Sequence, residues 1–343
     1  MKSNNQRGMA LLVVLMITAM MTITAVNMND HWLRAFNRAT SIQFYQQSKW
    51  LLLSMESLVQ HQQLSPLPID KIHLGQPWAR ATQQISLDGN QVSFSLRDRQ
   101  TCFNLNGIGQ GGITGKKTEP ETEETKKEKE QEKEAEEPLA PYSQQVFQHL
   151  LLAQGLNAAE AQKITFALAD WLDKDDISRI TAGGEVALYQ TSRPALIPAN
   201  RPMLNISEFR VLPGVSQALF LRLKPLICTL PNQKLRININ TLTAAQAPLL
   251  AALFLGEMSV EEAQQLIDSR PANGWNNVND INPFIAGNNT SFAKAKTAIT
   301  LTSNYFELWL WLDENQQNNS MRSLFQRDGK VIKVLSRQYG LSD

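Results

Sequence analysis

Residues Met9 to Val26 read MALLVVLMITAMMTITAV, and this stretch decides how the rest of the chain can be arranged. No charged side chain occurs between Gly8 and Asn29. Eighteen residues of α-helix extend about 27 Å, which matches the ~30 Å hydrocarbon core of a bilayer. The stretch therefore predicts a transmembrane helix. Lys2 and Arg7 precede it, and the positive-inside rule places the short N-terminus in the cytoplasm and the remainder outside.

A secretory signal peptide is the alternative for this stretch, with Thr22 to Ala25 as a weak cleavage site. The apolar run is longer than the ~7–15 residues of a signal core. No glycine or proline lies between Gly8 and Pro66, and apolar residues recur every three or four positions. One helix from Met9 to about Leu64 would be about 84 Å long, with residues 9–29 in the membrane and 30–64 beyond it.

The charges are nearly balanced over the 343 residues, with 33 Lys and Arg against 32 Asp and Glu. This balance does not favour a protein that binds nucleic acid by net charge. Lys116 to Glu137 is exceptional, because 16 of its 22 residues are charged. Such a segment has too little apolar surface to fold, so residues 113–141 are expected to form a charged flexible linker. The linker is either a tolerated insertion or an interaction segment.

Strand patterns lie on both sides of a long helical region. Val92 to Leu96 alternates after a turn at Asp88-Gly89-Asn90, and Thr101 to Leu105 forms a further short run. Near the end, Phe306 to Asp313 alternates strictly, and a hairpin turns at Asp328-Gly329. These patterns predict that residues 65–112 and 301–343 build one antiparallel sheet from both ends of the chain.

Helical periodicity fills the interval between these strands, residues 142–300. Asn157, Thr243 and Ser259 are each followed three residues later by Glu or Gln, the pattern of a capping box that begins a helix. The predicted fold class is α+β, with a long N-terminal helix packed on an antiparallel sheet. A large all-α domain is inserted between the strands.

No catalytic pattern is present in the sequence. His31, His61, His73 and His149 are isolated, and the H-E-x-x-H and G-x-S-x-G motifs are missing. Gly107 to Gly112 matches G-x-G-x-x-G, but a charged segment follows where a nucleotide site needs a helix. The sequence therefore favours a protein that is not an enzyme.

The residues at the membrane edge carry a family resemblance. Arg7-Gly8-Met9-Ala10-Leu11-Leu12-Val13 resembles the leader of type IV prepilins, which implies that prepilin peptidase removes residues 1–8 and methylates the new amino terminus at Met9. Most members of that superfamily have glutamate at the fifth mature position, where this chain has Val13. A carboxylate is costly in hydrocarbon unless it is paired. The resemblance implies that the partner in a filament is the amino terminus of the subunit ahead. A subunit at the tip has no subunit ahead of it and so no partner for that carboxylate, and Val13 therefore suggests a filament tip.

A second resemblance covers nearly the whole chain. Ala167 to Asp176, with Gly184-Glu185 and Tyr189, resembles the core motif of the type II secretion minor pseudopilin K family. Ala199 to Glu208, Leu212 to Val215 and Ile237 to Thr241 agree with the same family. The resemblance implies a single-pass inner-membrane protein whose periplasmic part joins a pseudopilus and has a pilin-like fold. The family role is to cap or initiate the filament for export of folded proteins across the outer membrane.

The family resemblance also implies a set of partners. These are the minor pseudopilins I and J, with H and the major pseudopilin G reached through the tip complex. The prepilin peptidase, the inner-membrane assembly platform and the secretin or secreted cargo complete the set, and no nucleic acid is expected.

An acidic cluster admits a chemical interpretation of its own. Asp170 and Asp173 lie three residues apart near a helix end, and Asp175, Asp176 and Glu185 follow on the loop beyond. Grouped oxygen ligands suit a structural calcium ion in a periplasmic protein, although the spacing is not that of an EF-hand. A solvated helix end with capping carboxylates is the alternative.

Two further patterns leave alternatives open. Cys102 and Cys228 would both face an oxidising compartment, where an even count favours a disulfide over two buried free thiols. Leu212 to Val215 and Arg270 to Trp275 resemble parts of helix-hairpin-helix elements, which often bind DNA phosphates through backbone N–H groups. A membrane-anchored DNA-binding protein is therefore the alternative function, and helix packing is the other explanation for these hairpins.

Overall fold

A computed structural model describes residues 6–87, 90–109, 140–174, 189, 197–285, 289–314 and 317–340. The helices are α1 (Gln6–Val59), α2 (Tyr142–Ala153), α3 (Ala158–Leu172), α4 (Gln217–Leu223), α5 (Ala247–Leu253), α6 (Val260–Asp268) and α7 (Asn289–Ala298). The strands are β1 (Gln83–Leu87), β2 (Asn90–Asp98), β3 (Phe103–Asn104), β4 (Ile227–Cys228), β5 (Ile237–Asn238), β6 (Ile299–Thr300), β7 (Tyr305–Glu314), β8 (Gln317–Asp328) and β9 (Val331–Tyr339). Both ends of the chain contribute long elements, and the short ones lie between them.

Helix α1 runs without a break because no glycine or proline lies within residues 9–65 of the chain. It continues into one π-helical turn, Gln60–Leu64, and Pro66 follows just beyond. The predicted helix from Met9 to Leu64 is thus present. It packs on the sheet only through its last turns, because the first buried side chain along it is Ser48.

The main sheet is antiparallel and has the order β1-β2-β7-β8-β9 among the described strands. The pairing of β2 with β7 sets Phe94 opposite Leu310 and Ser95 opposite Trp309. The alternating pattern therefore places one row of apolar side chains on the face that meets α1 and a polar and aromatic row on the opposite face. Because β2 and β7 are separated by the whole helical region, the sheet is formed from both ends of the chain. The predicted α+β class is confirmed.

The core beneath the sheet is formed by the final turns of α1 and the inner sheet face. Leu52, Met55 and Val59 recur at helical spacing and are fully buried against residues such as Phe94 and Leu310. This stripe is the reason that the end of α1, and not its beginning, docks on the sheet.

The inserted domain has a separate core, and its helices begin where the capping pattern predicts. Asn157 and Ser259 accept hydrogen bonds from the backbone N–H groups of Glu160 and Glu262, and both carboxylates reach back to the cap residue. Gln246 Oε1 accepts hydrogen bonds from the N–H and the hydroxyl of Thr243, which begins a 3₁₀ turn that leads into α5. These caps satisfy N–H groups that the helix itself leaves open.

The boundary between the two parts differs from the prediction of residues 65–112 for the first half of the sheet. Phe103, Leu105 and Ile108 are buried in the core of the inserted domain. The run from Thr101 to Leu105 is not a strand of the main sheet, since β3 pairs in parallel with β4, more than a hundred residues later. The sheet's first half therefore ends near Asp98.

The inserted domain is also not purely helical. Besides β3 and β4, strand β5 pairs in parallel with β6, so each pair joins segments that lie far apart in sequence. These two-residue strands lie where the domain meets the sheet. The predicted turn at residues 88–89 and most of the predicted linker 113–141, its residues 113–139, lie outside the described residues.

Candidate functional site

The N-terminal part of α1 projects from the folded body. Every side chain from Met9 to Thr40 is exposed. Among the described residues, Met9–Leu64 is the one helix that is long and apolar enough to cross a membrane. The apolar window of this helix lies near the N-terminus and is 0% buried, which fits a membrane anchor better than a helix of a soluble core.

The polar groups within this apolar stretch are satisfied by the helix itself. Thr18, Thr22 and Thr24 each donate a hydrogen bond to the carbonyl three residues earlier, at 2.8 to 2.9 Å. A hydroxyl that bonds to its own helix leaves no unsatisfied donor toward lipid. The three threonines are thus compatible with a position inside a bilayer.

Val13 lies in this bare segment, and its side chain is 52% exposed. The first carboxylate in the chain is Asp30, so residues 9–29 offer no acidic group to a neighbouring helix. The surface of the segment at this position is therefore purely apolar.

Beyond the membrane-length stretch, α1 carries exposed aromatic side chains. Trp32 and Phe36 are 60% and 51% exposed and stack on each other with ring centroids 5.3 Å apart, and Trp50 is 71% exposed. Large exposed apolar groups on one helix are typical of an interaction surface. This part of α1 is therefore a candidate surface for contact with further protein.

An ion pair between a buried carboxylate and a partly exposed arginine fixes α1 to the sheet. Glu56 lies in the apolar stripe of α1, and Arg337 on β9 donates to it from Nη2 at 2.7 Å and from Nε at 2.8 Å. Ser323 on β8 donates a further hydrogen bond at 2.5 Å. The bonds to Glu56 raise the pKa of Arg337. The sequence analysis did not single out Glu56, although a carboxylate between Leu52 and Val59 on a buried face is itself a signal.

A second buried carboxylate lies at the junction between the sheet and the inserted domain. Asp98, at the end of β2, accepts hydrogen bonds from the hydroxyls of Thr241 and Ser303, from the Asn238 amide and from the Gln100 N–H. Burial raises the pKa of Asp98, and these bonds oppose that effect. One side chain therefore joins β2, the segment after β5 and the loop before β7.

The Ile237 to Thr241 motif has a structural role at the same junction. Asn238 donates to the Ile72 carbonyl at 3.1 Å and to Ser303 at 2.7 Å. Asn240 donates to the Trp275 carbonyl at 3.1 Å and accepts from the Trp275 N–H at 2.7 Å. Both amides are buried, and each satisfies backbone groups of a distant segment. The motif thus fixes the inserted domain at its junction with the sheet.

A disulfide between Cys102 and Cys228 lies beside these contacts. The Cα atoms are 5.7 Å apart, and both residues are buried together with Leu230 and Tyr305. Cys228 is in β4 and Cys102 immediately precedes β3. The bond therefore reinforces the short parallel pair that connects the sheet to the inserted domain.

The acidic cluster is only partly described. Asp170 is 1% exposed near the end of α3, and Asp173 is the C-cap residue of that helix. Asp175, Asp176 and Glu185 lie outside the described residues. Within the part of the chain that the structure describes, no three acidic, histidine or cysteine side chains group as metal ligands.

The two hairpins turn inward. Gly214 has φ of +90°, and a Cβ there would lie 3.2 Å from Ile164 of α3, so this turn packs against the helical core. Arg270 donates to the Leu242 carbonyl at 2.6 Å, and burial lowers the pKa of its guanidinium. Gly214 and Arg270 thus both contact the protein's own core or backbone, which favours the packing explanation.

These features define a class of protein: a pilin-like filament subunit with an apolar N-terminal helix, an antiparallel sheet on the end of that helix, and a large domain inserted between the strands. Two family models described as type II secretion system (T2SS), protein K, match residues 101–232 and 237–302. The chain belongs to this protein K family and is a minor pseudopilin.

Curated relatives and a solved structure agree with this assignment. A type II secretion system protein K from Dickeya chrysanthemi is 34% identical over 98% of both chains, and one from Klebsiella pneumoniae is 32% identical over 99% of this chain and 98% of the other. The crystal structure of the GspK-GspI-GspJ complex from enterotoxigenic Escherichia coli contains a chain that is 31% identical. That chain matches with a TM-score of 0.71, covering 89% of this chain and all of the other.

Proposed function

We propose that this minor pseudopilin occupies the tip of the type II secretion pseudopilus and there caps or initiates the filament that exports folded proteins across the outer membrane. The observation that carries the proposal is Val13, an exposed apolar residue where related subunits have a glutamate. Inside a filament, that carboxylate pairs with the amino terminus of the subunit ahead. At the tip no such subunit exists, and an unpaired carboxylate in hydrocarbon would cost about 3 kcal/mol.

The inserted domain supports the same position. It is inserted in the chain between β2 and β7 and forms its own core, so it adds a large domain to the sheet. Subunits in a helical filament are closely packed through their α1 helices, and a domain of this size would clash with the next layer. At the end of a filament it meets no such layer.

The partners we propose are the minor pseudopilins I and J, as in the GspK-GspI-GspJ complex of the E. coli relative. H and the major pseudopilin G would follow through the tip complex, and contacts with the assembly platform, the secretin or cargo belong to the same proposal. The exposed aromatics Trp32, Phe36 and Trp50 on α1 supply a surface for this packing.

Processing and topology follow from the same hypothesis. Prepilin peptidase would cut between Gly8 and Met9, methylate Met9, and leave α1 as a single pass through the inner membrane with the sheet and the inserted domain in the periplasm. Intact mass of the mature chain checks this step. A chain that does not begin at methylated Met9 contradicts it.

We also propose calcium as a structural ion at the acidic cluster. Asp170 and Asp173 at the end of α3 would supply carboxylate oxygens, with Asp175, Asp176 and Glu185 as further ligands. Asp170 is 1% exposed, and carboxylate oxygens are the ligands that calcium takes in proteins. A thermal melt of the full chain should shift upward with calcium, and an unchanged midpoint in excess chelator would contradict the proposal.

The tip proposal describes a structural role and includes no catalytic step. It is tested by co-expressing the full chain with I and J, extracting the membranes in mild detergent and measuring co-elution. An equimolar complex of the three is expected. If the chain elutes alone at micromolar concentration, the tip-complex proposal fails. A matched variant, Lys330→Gln in the distant β8–β9 turn, should co-elute as the wild type does.

A further inference from the structure

A basic groove of about 680 Å³ opens between the inserted domain and the sheet face that points away from α1. Five cationic residues line it among the described residues: Arg80, Arg97, Arg99, Lys224 and Arg322. Two carboxylates, Asp98 and Glu307, also line it, so the formal charge of the lining is 5 − 2 = +3. The chain as a whole is almost neutral, which makes this local excess of positive charge a distinct feature.

Trp309 on β7 lines the groove between two arginines. The guanidinium carbons of Arg97 and Arg322, from the two neighbouring strands, lie 5.5 and 5.2 Å from its ring centroid. The Trp309 indole donates to Glu307 at 2.8 Å. Such cation–π contacts hold long arginine side chains in place and reduce the entropy that they lose on binding a ligand.

In the described part of the chain, the positive charges that line the groove exceed the negative ones. Glu307 is shared among the Trp309 indole and the Nε atoms of Arg99 and Arg322, which lie 3.9 and 3.8 Å away. Asp98 is buried and already accepts four hydrogen bonds. Within the described residues, Arg80, Arg97 and Lys224 have no carboxylate within ion-pair distance.

Apolar side chains accompany these cations. Leu221, 57% exposed at the end of α4, lines the groove together with Ile206 and Pro225. A compact anion such as phosphate would gain no binding energy from this apolar wall of Leu221, Ile206 and Pro225. A peptide that carries both carboxylates and an apolar side chain can use the cations and the wall together.

We propose that the groove binds an acidic segment of a protein partner, with Asp or Glu side chains on the arginines and an apolar side chain against Leu221. The planar guanidinium of arginine matches a carboxylate through two parallel hydrogen bonds, which gives geometric selectivity as well as charge attraction. The site does not depend on the tip position or on Val13. Its occupant contacts the sheet through Arg97 and the inserted domain through Lys224, and thereby bridges the two parts of the chain.

The test uses the purified full chain in detergent and a fluorescent peptide of sequence Asp-Glu-Leu-Asp-Glu-Phe-Glu-Asp. A control peptide has Asn and Gln at every acidic position. Fluorescence anisotropy should detect saturable binding of the acidic peptide alone, weakened by added salt. The double variant Arg80→Gln/Arg97→Gln and the single variant Lys224→Gln should each weaken binding, the double variant by about tenfold. Arg222→Gln is the matched control, because Arg222 is exposed on α4 and does not line the groove.

Each alternative result overturns the proposal. If the acidic peptide does not bind, or if Arg222→Gln weakens binding as much as Lys224→Gln does, the groove is not the site. If a DNA duplex binds through Arg97 and Lys224 while the peptide does not, the site recognises phosphates and its ligand is not an acidic protein segment. If inorganic phosphate displaces the peptide at equal concentration, the apolar wall contributes nothing to recognition.

Discussion

Loss of the Cys102–Cys228 disulfide should strongly destabilise the attachment of the inserted domain. The two cysteines are separated by 126 residues. In the chain-entropy relation, a loop of this length restricts the unfolded chain by about 16 cal/mol/K, or about 5 kcal/mol at 25 °C. That value is an upper limit, because part of the gain is offset by residual structure in the unfolded state. We expect a loss of about 2–5 kcal/mol in the free energy of unfolding.

The assay is equilibrium unfolding in urea of the full chain in mild detergent, followed by tryptophan fluorescence. The oxidised wild type is compared with Cys102→Ala/Cys228→Ala and with the wild type under reductant. The reduced wild type keeps both buried sulfur atoms, so it separates the loss of the bond from the loss of packing. If reduction lowers the free energy of unfolding by less than about 1 kcal/mol, the disulfide does not constrain the junction as argued.

Three further changes test the ion pair between α1 and the sheet, the junction between the sheet and the inserted domain, and the membrane anchor. Glu56→Gln should lower the free energy of unfolding by about 1.5–3 kcal/mol in urea titrations, because the neutral amide cannot form the ion pair with the partly exposed Arg337. The control Glu261→Gln, on the exposed side of α6, should leave the free energy of unfolding unchanged. The raised pKa of Asp98 means that the folded state binds its proton more tightly than the unfolded state, whose pKa is near 3.8. Stability relative to Asp98→Asn should therefore fall as pH rises above about 4, and a pH-independent difference would contradict this cause. Val13→Glu should reduce recovery of the chain in the complex with I and J, while Val13→Leu should not; equal recovery of the two variants would remove the argument from the fifth position.

The long elements could be predicted because their signals are local. Helix α1 needed only the absence of glycine and proline and an apolar stripe, and the strict alternation from Phe306 to Leu312 fixed which side of β7 is buried. The capping boxes at Asn157 and Ser259 likewise depend on residues three positions apart. Each of these patterns is complete within a few turns of chain.

The junction could not be predicted to the same degree. Thr101 to Leu105 has the composition of a strand, but its partner Ile227–Cys228 is more than a hundred residues away, and a short run cannot reveal which strand it will join. Asn238 and Asn240 alternate with isoleucines as in a half-exposed strand. Their amides are instead buried and bonded to the backbone of remote segments, which only the tertiary structure brings within reach.

The candidate functional surfaces differ in the same way in how far the sequence could reveal them. Val13 and the exposed face of α1 could be found from sequence because they lie on one continuous helix. The basic groove could not, because Arg80, Arg97, Lys224 and Arg322 come from four separate places along the chain and meet only after the inserted domain has docked on the sheet.

The position of the subunit in the filament tests the central claim most directly. Pseudopili assembled in cells that carry an epitope on the β8–β9 turn at Lys330 can be labelled with gold-conjugated antibody and viewed by electron microscopy. A subunit confined to the tip gives label at one end of each filament and none along the shaft. Label distributed along the shaft would contradict the tip assignment.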